Sequence, residues 1–354
     1  MAAAQVFSIV PPIFTSPLDY NIRSPRQFHE ELLGNLREDP YREQTLRNCV
    51  VDEVRYLRAR EEDNKAAHEI VVVRCSHTVH LEDGTVLGTD CRYVTFERLK
   101  HRTREEDSGS MPPLVRHTSQ VSRESRSGGS EAMDSVRFAV SLAAATTRTS
   151  RSYDLVASFT TTEGHPLNIV DCAVTAYIVT ERATNYSTLQ YMCMWYARMV
   201  FETLRYFAGC PATREGPAYT RAGRFGLMVL VRGDGSLWLE SPRTLEQVAD
   251  NVVTILRRQA TTAPAPNLTD VAAMRAEFMH DFRQSHEGPL RPLQEIQLSA
   301  QNVRTAAWRV IREITKEAYE RVHREDRMRN HIARQDRELS ALKAQMDAVN
   351  IGSP

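Results

Sequence analysis

Residues 69–81, EIVVVRCSHTVHL, and residues 85–96, TVLGTDCRYVTF, are two β-rich runs that flank Asp83-Gly84. Asp-Gly between two runs rich in β-branched and aromatic residues is the strongest short-range signal for a β-hairpin. If Asp83-Gly84 forms a two-residue turn, His77 pairs with Asp90 and Ser76 pairs with Cys91 across the two strands. The hairpin therefore predicts a fold built on antiparallel strands.

Two helices are predicted on the N-terminal side of this hairpin. Ser24-Pro25 is typical of a helix start, with an N-cap residue before a first-turn proline, and this helix extends to about residue 37. Pro40 begins a second helix, in which apolar residues recur at spacings of three and four: Leu46, Cys49, Val50, Val54 and Leu57. Residues 1–98 are therefore predicted to form a module of two helices on a hairpin.

Residues 99–130 differ in composition from the sequence on either side. They are rich in Ser, Arg, Gly and Pro and contain few apolar residues, so they cannot bury enough surface to offset the entropy of ordering them. We predict a flexible linker or exposed loop. Basic side chains exceed acidic ones here, and the candidate nucleic-acid contacts are Arg98, Lys100, Arg102, Arg104, Arg116, Arg123 and Arg126.

A second antiparallel α+β domain is predicted for residues 131–260, because hairpins and helices follow one another without the rhythm of parallel crossovers. Its predicted elements are a helix over 133–145, strands over 153–160 and 167–180, a helix over 187–208 ending at Gly209, a hairpin around Gly233-Asp234-Gly235, and a helix from Ser241-Pro242.

The C-terminal part of the chain is predicted to be a hinge with a short helix, residues 261–289, and then one long helix over 290–350. Residues 294–350 contain neither Gly nor Pro, and two runs of heptad spacing cross them. The first seam is Leu293, Ile296, Ala300, Val303, Ala307, Val310 and Ile314. The second seam is Ile332, Gln335, Leu339, Leu342, Met346 and Val349. The predicted fold class is thus α+β, two small antiparallel modules joined by a flexible linker, with a long coiled-coil-like C-terminal helix.

Composition excludes several classes of protein. The 354 residues carry 45 basic and 45 acidic side chains, so a uniformly basic nucleic-acid coat is excluded while local basic patches remain possible. Six cysteines without a CxxC pair exclude a disulfide scaffold. The longest apolar stretch, residues 189–201, is too short for a membrane span, and the N-terminus lacks a basic leader, so we expect a cytoplasmic protein.

The densest group of possible metal ligands is Cys75, His77, His80 and Cys91. Thiolates and imidazoles are the ligands that zinc prefers. Strand alternation, however, places Cys75 and His77 on one face of the hairpin and His80 and Cys91 on the other, so four ligands cannot converge. We therefore predict a half-buried hairpin without a metal, and no cofactor is inferred elsewhere.

Nucleophilic catalysis finds little support in the sequence. No GxSxG elbow, phosphate loop, HExxH or GxGxxG motif is present. Cys193 with His165 as its base is a conceivable pair, but the apolar surroundings of Cys193 favour a core cysteine.

The leading hypothesis is a non-enzymatic, self-associating assembly or scaffold protein that forms a homo-oligomer through its C-terminal helix. The interface residues are predicted to be Leu293, Ile296, Val303, Val310, Ile314, Ile332, Leu339 and Leu342. The alternative is a single-stranded RNA-binding protein that uses the linker arginines and the basic face of the last helix, and a third is an enzyme with a scattered site. A viral structural or non-structural protein is a hypothesis from the layout alone, without a motif behind it.

Overall fold

The computed structural model describes residues 22–34, 40–60, 68–80, 86–100, 130–146, 152–183, 185–186, 193–225, 228–237 and 291–351, with six pairs of residues between 246 and 280. Its helices are α1 (Pro25–Gly34), α2 (Arg42–Arg47), α3 (Leu142–Thr146), α4 (Ile169–Arg182), α5 (Cys193–Phe207) and α6 (Pro292–Ile351). Its strands are β1 (Ile22–Arg23), β2 (Cys49–Ala59), β3 (Glu69–His80), β4 (Val86–Lys100), β5 (Ser130–Ala139), β6 (Tyr153–Thr160), β7 (Leu167–Asn168), β8 (Asn185–Tyr186), β9 (Arg214–Glu215), β10 (Arg224–Phe225) and β11 (Met228–Val229).

One antiparallel sheet organises the molecule. Its strands run in the order β1-β5-β4-β3-β2-β6-β9, with β7 added to β2 and β8 added to β5. The predicted hairpin is confirmed as β3 and β4. From Val71 to Val79 its register is the predicted one, with His77 opposite Asp90 and Ser76 opposite Cys91, but it shifts after Val79, so that His80 lies opposite Val86. The predicted turn at Asp83-Gly84 lies outside the described residues. The α+β class is therefore confirmed.

The two faces of the sheet are covered unequally. On one face, alternate residues such as Val71, Val73 and Cys75 are buried in the main core beneath α1, α4, α5 and the first half of α6. On the other face, Ile70 and Val72 belong to a small cluster that packs beneath α3. From Glu69 to Val73 β3 is thus buried on both faces, whereas farther along the strand Arg74 is exposed and Ser76 and Thr78 are half-buried on the face opposite the main core.

Local capping explains where two of the covering helices begin. In α1, the Gln27 backbone N–H donates to the Ser24 hydroxyl at 3.1 Å and the Gln27 side chain accepts from the Ser24 backbone N–H at 3.0 Å. In α4, the Asn168 side chain accepts from the backbone of Val170 and Asp171, while Asp171 accepts from the backbone of Asn168. Both are reciprocal capping boxes, and the predicted start of α1 at Ser24-Pro25 is confirmed.

The predicted boundary between two modules falls inside this one sheet. Strands β4 and β5, on either side of residues 101–129, are hydrogen-bonded neighbours from Tyr93 opposite Ala139 to Lys100 opposite Ala132. Residues 101–129 themselves, which carry most of the predicted linker, lie outside the described residues. The chain on both sides of them therefore forms a single structural unit, and this corrects the boundary at residues 98 and 131.

Three predicted elements have the wrong type. The helix predicted to begin at Pro40 is helical only at α2, and its continuation to Leu57 is strand β2. The predicted helix over 133–145 is mostly strand β5. The predicted strand over 167–180 is instead helix α4. A bulge between Val51 and Glu53 breaks the two-residue alternation of β2, and α4 is buried from Ile169 to Val179, so neither segment shows the periodicity of its own element.

Other predictions hold in part or in full. The strand over 153–160 is confirmed as β6, and the helix ending at Gly209 is confirmed as α5. The turn at residues 233–235 is present with Gly235 at a φ of 74°, and among the described residues it joins one bridge, Val231 to Leu237, while the predicted strand beyond Leu237 lies outside them. Strands β10 and β11 form their own hairpin just before this turn. The helices predicted from Ser241-Pro242 and over 270–284 lie mostly outside the described residues.

The long C-terminal helix is confirmed as α6, which is continuous for 60 residues. Within the described part of the chain, none of the helices combines the length and the apolar character that crossing a membrane requires.

Candidate interaction surfaces

The first half of α6 packs against the body of its own chain. Ile296 and Val303 are each 1% exposed, and Ile314 is 7% exposed, in the main core beside α4 and α5. Leu293 and Val310 pack against the same core at its edge. These five residues were predicted to face a partner chain, and the structure corrects that expectation because the chain itself covers the first seam.

The second half of α6 leaves the body and is exposed on every side. All residues from 319 to 341 are exposed, a length of about 35 Å at the rise of an α-helix. Its large apolar side chains include Met328 at 60% exposure, Ile332 at 50% and Leu339 at 64%. The side chain of Leu342, the remaining predicted interface residue, lies outside the described part. Nothing in the described chain covers Ile332, Gln335 and Leu339 of the second seam, in contrast to the first seam.

The predicted nucleic-acid residues are not brought together by the described structure. The Arg98 side chain is fully buried, and its guanidinium donates to both oxygens of Asp134 at 2.6 Å and to the Ala183 carbonyl at 2.8 Å. A guanidinium held in this way cannot reach a phosphate, which corrects the prediction for Arg98. The side chain of Lys100 and the residues Arg102, Arg104, Arg116, Arg123 and Arg126 lie outside the described part of the chain.

A basic cleft lies elsewhere, between the first half of α6 and the body. Its volume is about 610 Å³. One stripe of α6 forms a wall, since the lining residues recur at helical spacing: Gln301, Arg304, Thr305, Trp308, Arg309 and Arg312. Facing them are Arg47 at the end of α2, the turn over residues 164–166, Asn168 at the start of α4 and Phe207 at the end of α5.

Asp171 fixes the inner side of this basic cleft. Its carboxylate, fully buried, accepts from the Arg304 guanidinium at 2.7 and 3.2 Å and from the Trp308 indole N–H. Burial raises the pKa of the Asp171 carboxyl, and the Arg304 guanidinium opposes that shift. Arg304 also lies over the Phe207 ring, 4.8 Å from its centroid. Asp171, which belongs to the capping box of α4, thus sets the positions of Arg304 and Trp308.

The outer side of the basic cleft carries cations that are only partly neutralised. Arg47 donates to Glu43 at 2.8 Å and lies 4.6 Å above the Trp308 ring, with half of its side chain exposed. Arg312, 65% exposed, lies 3.6 Å from the same Glu43 carboxylate. Arg309 has no ion-pair partner among the residues that the structure describes. Four guanidinium groups therefore share two carboxylates, Glu43 and Asp171.

A close approach of the His165 ring to the backbone of Gly209 shapes one end of the basic cleft. Gly209 has a φ of 73°, and a β-carbon there would lie 2.6 Å from the His165 ring. Glycine satisfies both requirements, because it tolerates the left-handed region and leaves room for the ring. The exposed turn that carries His165 is thereby held against the end of α5.

The predicted half-buried hairpin has the expected division of its Cys and His side chains. Cys75 and His77 are buried on the core face, whereas Cys91 is half-buried on the opposite face, and the side chain of His80 lies outside the described part. Burial raises the pKa of the neighbouring Cys172 thiol, which hydrogen bonds with Cys75. No group of three or more metal-ligating side chains is found among the described residues.

Cys193 lies beside a different histidine from the one considered in the sequence. His68 hydrogen bonds with Cys193, and its Nε2 lies 2.8 Å from Glu97 Oε1. His165, by contrast, contacts Gly209 beyond the other end of α5, about 21 Å along the helix axis. Burial acts to lower the pKa of His68, but its hydrogen bonds with Cys193 and Glu97 raise it to about 10.

The raised pKa of His68 predicts the sign of a pH dependence. The protonated ring stabilises the fold, so its contribution is complete below pH 6.5 and is lost as the pH rises towards 10. We expect the difference in the free energy of unfolding between the natural chain and His68→Gln to shrink over this window. Urea titrations at several pH values measure it, and a difference that grows with pH would contradict the assignment.

Comparisons with known proteins add no relationship: no family model, no curated protein and no solved structure matches this chain.

Sequence reasoning did not find the basic cleft. Its residues come from four separate elements, so no short motif marks them. The available signal was the recurrence of Arg304, Trp308 and Arg312 on one stripe of α6.

Proposed function

We propose that this protein self-associates through the second half of α6 and acts as an assembly or scaffold protein. The observation that supports this proposal is the exposure of residues 319–341 on every side, although the second seam within and beyond them keeps a heptad repeat. A helix of this length would leave its apolar stripe in water unless another chain covered it.

The occupant that fits best is a second copy of the same helix. In heptad notation Ile332, Leu339 and Met346 take position a, and Met328, Gln335, Leu342 and Val349 take position d. A parallel, in-register pair of helices would place each of these residues beside its own copy. The seam would then be continuous over three heptads.

The flanking charges favour the parallel arrangement. Positions g and e of neighbouring heptads pair Glu338 with Lys343 of the other copy, which is attractive. One pair, Arg324 with Arg329, is repulsive. An antiparallel pair over the same run would instead place Asp336 near Asp336 and Glu338 near Glu338. Like charges opposite each other are unfavourable, so the parallel pair is preferred.

Substitution of the second seam is the direct test. We expect Ile332→Asp with Leu339→Asp to convert oligomers to monomers, because two carboxylates per chain would enter a desolvated stripe. The body should stay folded, since both residues lie beyond it. Sedimentation equilibrium gives the mass, and the near-ultraviolet circular dichroism spectrum reports on the body.

The matched control is Ala333→Asp with Ser340→Asp, which adds the same charge to exposed positions off the seam. We expect this variant to keep the mass of the natural chain. A natural chain that sediments as a monomer at every concentration, or a control that dissociates equally, would overturn the proposal.

Helix orientation has its own test. In a parallel, in-register pair Gln335 lies beside Gln335, so Gln335→Cys should form an interchain disulfide under mild oxidation. Arg337→Cys, on the outer face of the same turn, is the control and should not. Native Cys210 is exposed, so both variants are compared in a Cys210→Ser background.

A further inference from the structure

The basic cleft beside α6 has unneutralised charge and an exposed stacking surface. Of its four arginines, Arg304 is neutralised by Asp171, whereas Arg47 and Arg312 share Glu43 and Arg309 has no partner in the described chain. The net charge of these six side chains is two positive. A concave site with this excess attracts anions.

The arginines also dictate which anion fits. A guanidinium group binds phosphate oxygens through parallel N–H bonds, and Arg309 and Arg312 lie three residues apart on one stripe of α6. Two phosphate groups along a chain would thus meet two cations side by side.

A planar group would find its place on Arg47. The Arg47 guanidinium lies 4.6 Å above the Trp308 ring, and half of the Arg47 side chain is exposed. The Trp308 indole N–H is itself hydrogen-bonded to the buried Asp171 carboxylate. Unstacked bases bind on aromatic rings and on guanidinium planes, so this fixed pair offers a stacking platform beside the phosphate cations.

We propose that the basic cleft binds nucleotide units of a single-stranded nucleic acid, with a base on Arg47 and phosphates at Arg309 and Arg312. The volume of about 610 Å³ lies within the range of ligand pockets, and the exposed turn over residues 164–166 leaves one side open for a strand to continue. None of the residues that line the cleft belongs to 99–130 or to the second seam.

The test uses the full chain and a fluorescein-labelled oligo(U) strand of about 16 nucleotides, with anisotropy as the readout. We expect Arg309→Glu with Arg312→Glu to weaken binding at least ~10-fold. The slope of log affinity against log salt should fall by about 1.4, because each lost phosphate contact removes about 0.7 from it.

A matched control separates the basic cleft from the overall charge of the helix. Arg327→Glu with Arg334→Glu changes the net charge by the same amount on the same helix, at exposed positions beyond the body. We expect this variant to bind the strand like the natural chain. Equal loss in both variants would show that only net charge matters and would overturn the proposal.

Two further experiments distinguish a free nucleotide from a strand as the ligand, and the cleft from the linker arginines as the binding site. If uridine monophosphate displaces the labelled strand at a concentration similar to that of the unlabelled strand, the cleft has the proposed phosphate and base chemistry, but its ligand is a free nucleotide. Replacement of residues 103–127 by a Gly-Ser segment should leave binding unchanged. If that replacement abolishes binding while Arg309→Glu with Arg312→Glu does not, the arginines of the linker carry the activity and the proposal fails. It also fails if the natural chain binds neither probe.

Discussion

Asp134→Ala is expected to lower the free energy of unfolding by about 3–5 kcal/mol, because it leaves a buried guanidinium without its counter-charge. Arg98 and Asp134 are 0% and 1% exposed, and they form two parallel hydrogen bonds of 2.6 Å. Thr180 donates a further bond of 2.7 Å to the same carboxylate. The substitution would therefore remove the counter-charge of the Arg98 guanidinium and the acceptor of the Thr180 hydroxyl. Urea denaturation of the full chain measures it.

An exposed ion pair supplies the control for this substitution. Arg60, 63% exposed, donates to Asp154 at 2.7 Å. Solvent screens such a pair, so Arg60→Ala should cost less than about 1 kcal/mol. Similar losses for Arg60→Ala and Asp134→Ala would show that the Arg98 pair is not desolvated in solution. A binding defect toward oligo(U) in folded Arg98→Lys would instead point to an exposed Arg98.

Val303→Asp is expected to destabilise the body by a similar amount, on the order of 3–5 kcal/mol, since it buries an unpaired carboxylate in the main core. Val303 is 1% exposed on the face of α6 that packs against α4 and α5. The molecules that remain folded should still oligomerise, because the second seam is untouched. Thermal or urea unfolding gives the first quantity and sedimentation gives the second.

Thr305→Asp is the control on the same helix, two residues away and exposed. Surface substitutions of this kind change stability by about 0.5 kcal/mol or less. If Val303→Asp instead dissociated oligomers and left the unfolding transition unchanged, the first seam would face a partner chain in solution. The two seams would then have exchanged the roles that the structure gives them.

The burial of Arg98 and of Val303 could not be predicted from patterns in the sequence. Arg98 stands at the start of a basic, Ser-rich stretch, and composition gave no reason to separate it from the arginines that follow. Its partner Asp134 is 36 residues away, on the neighbouring strand. An ion pair between distant positions appears only when the sheet brings the two strands together.

Local signals were sufficient for several elements. The β-rich runs on either side of Asp83-Gly84 predicted the pairing of β3 with β4 as far as Val79, Ser24-Pro25 predicted the start of α1, and Gly209 predicted the end of α5. Each depends on the conformational preferences of a few adjacent residues, which act in the same way in any fold. The absence of Gly and Pro between Leu293 and Ile351 likewise predicted a long helix.

Tertiary packing alone decided the rest. Strand β2 alternates between buried and half-buried residues from Cys49 to Tyr56, but a bulge between Val51 and Glu53 in its pairing with β3 changes the phase of that alternation. The two seams of α6 have the same spacing, because a helix presents the same stripe to its own core as to another chain. Only the position of the body, which covers Val303 and leaves Leu339 in solvent, distinguishes an internal contact from a surface for assembly.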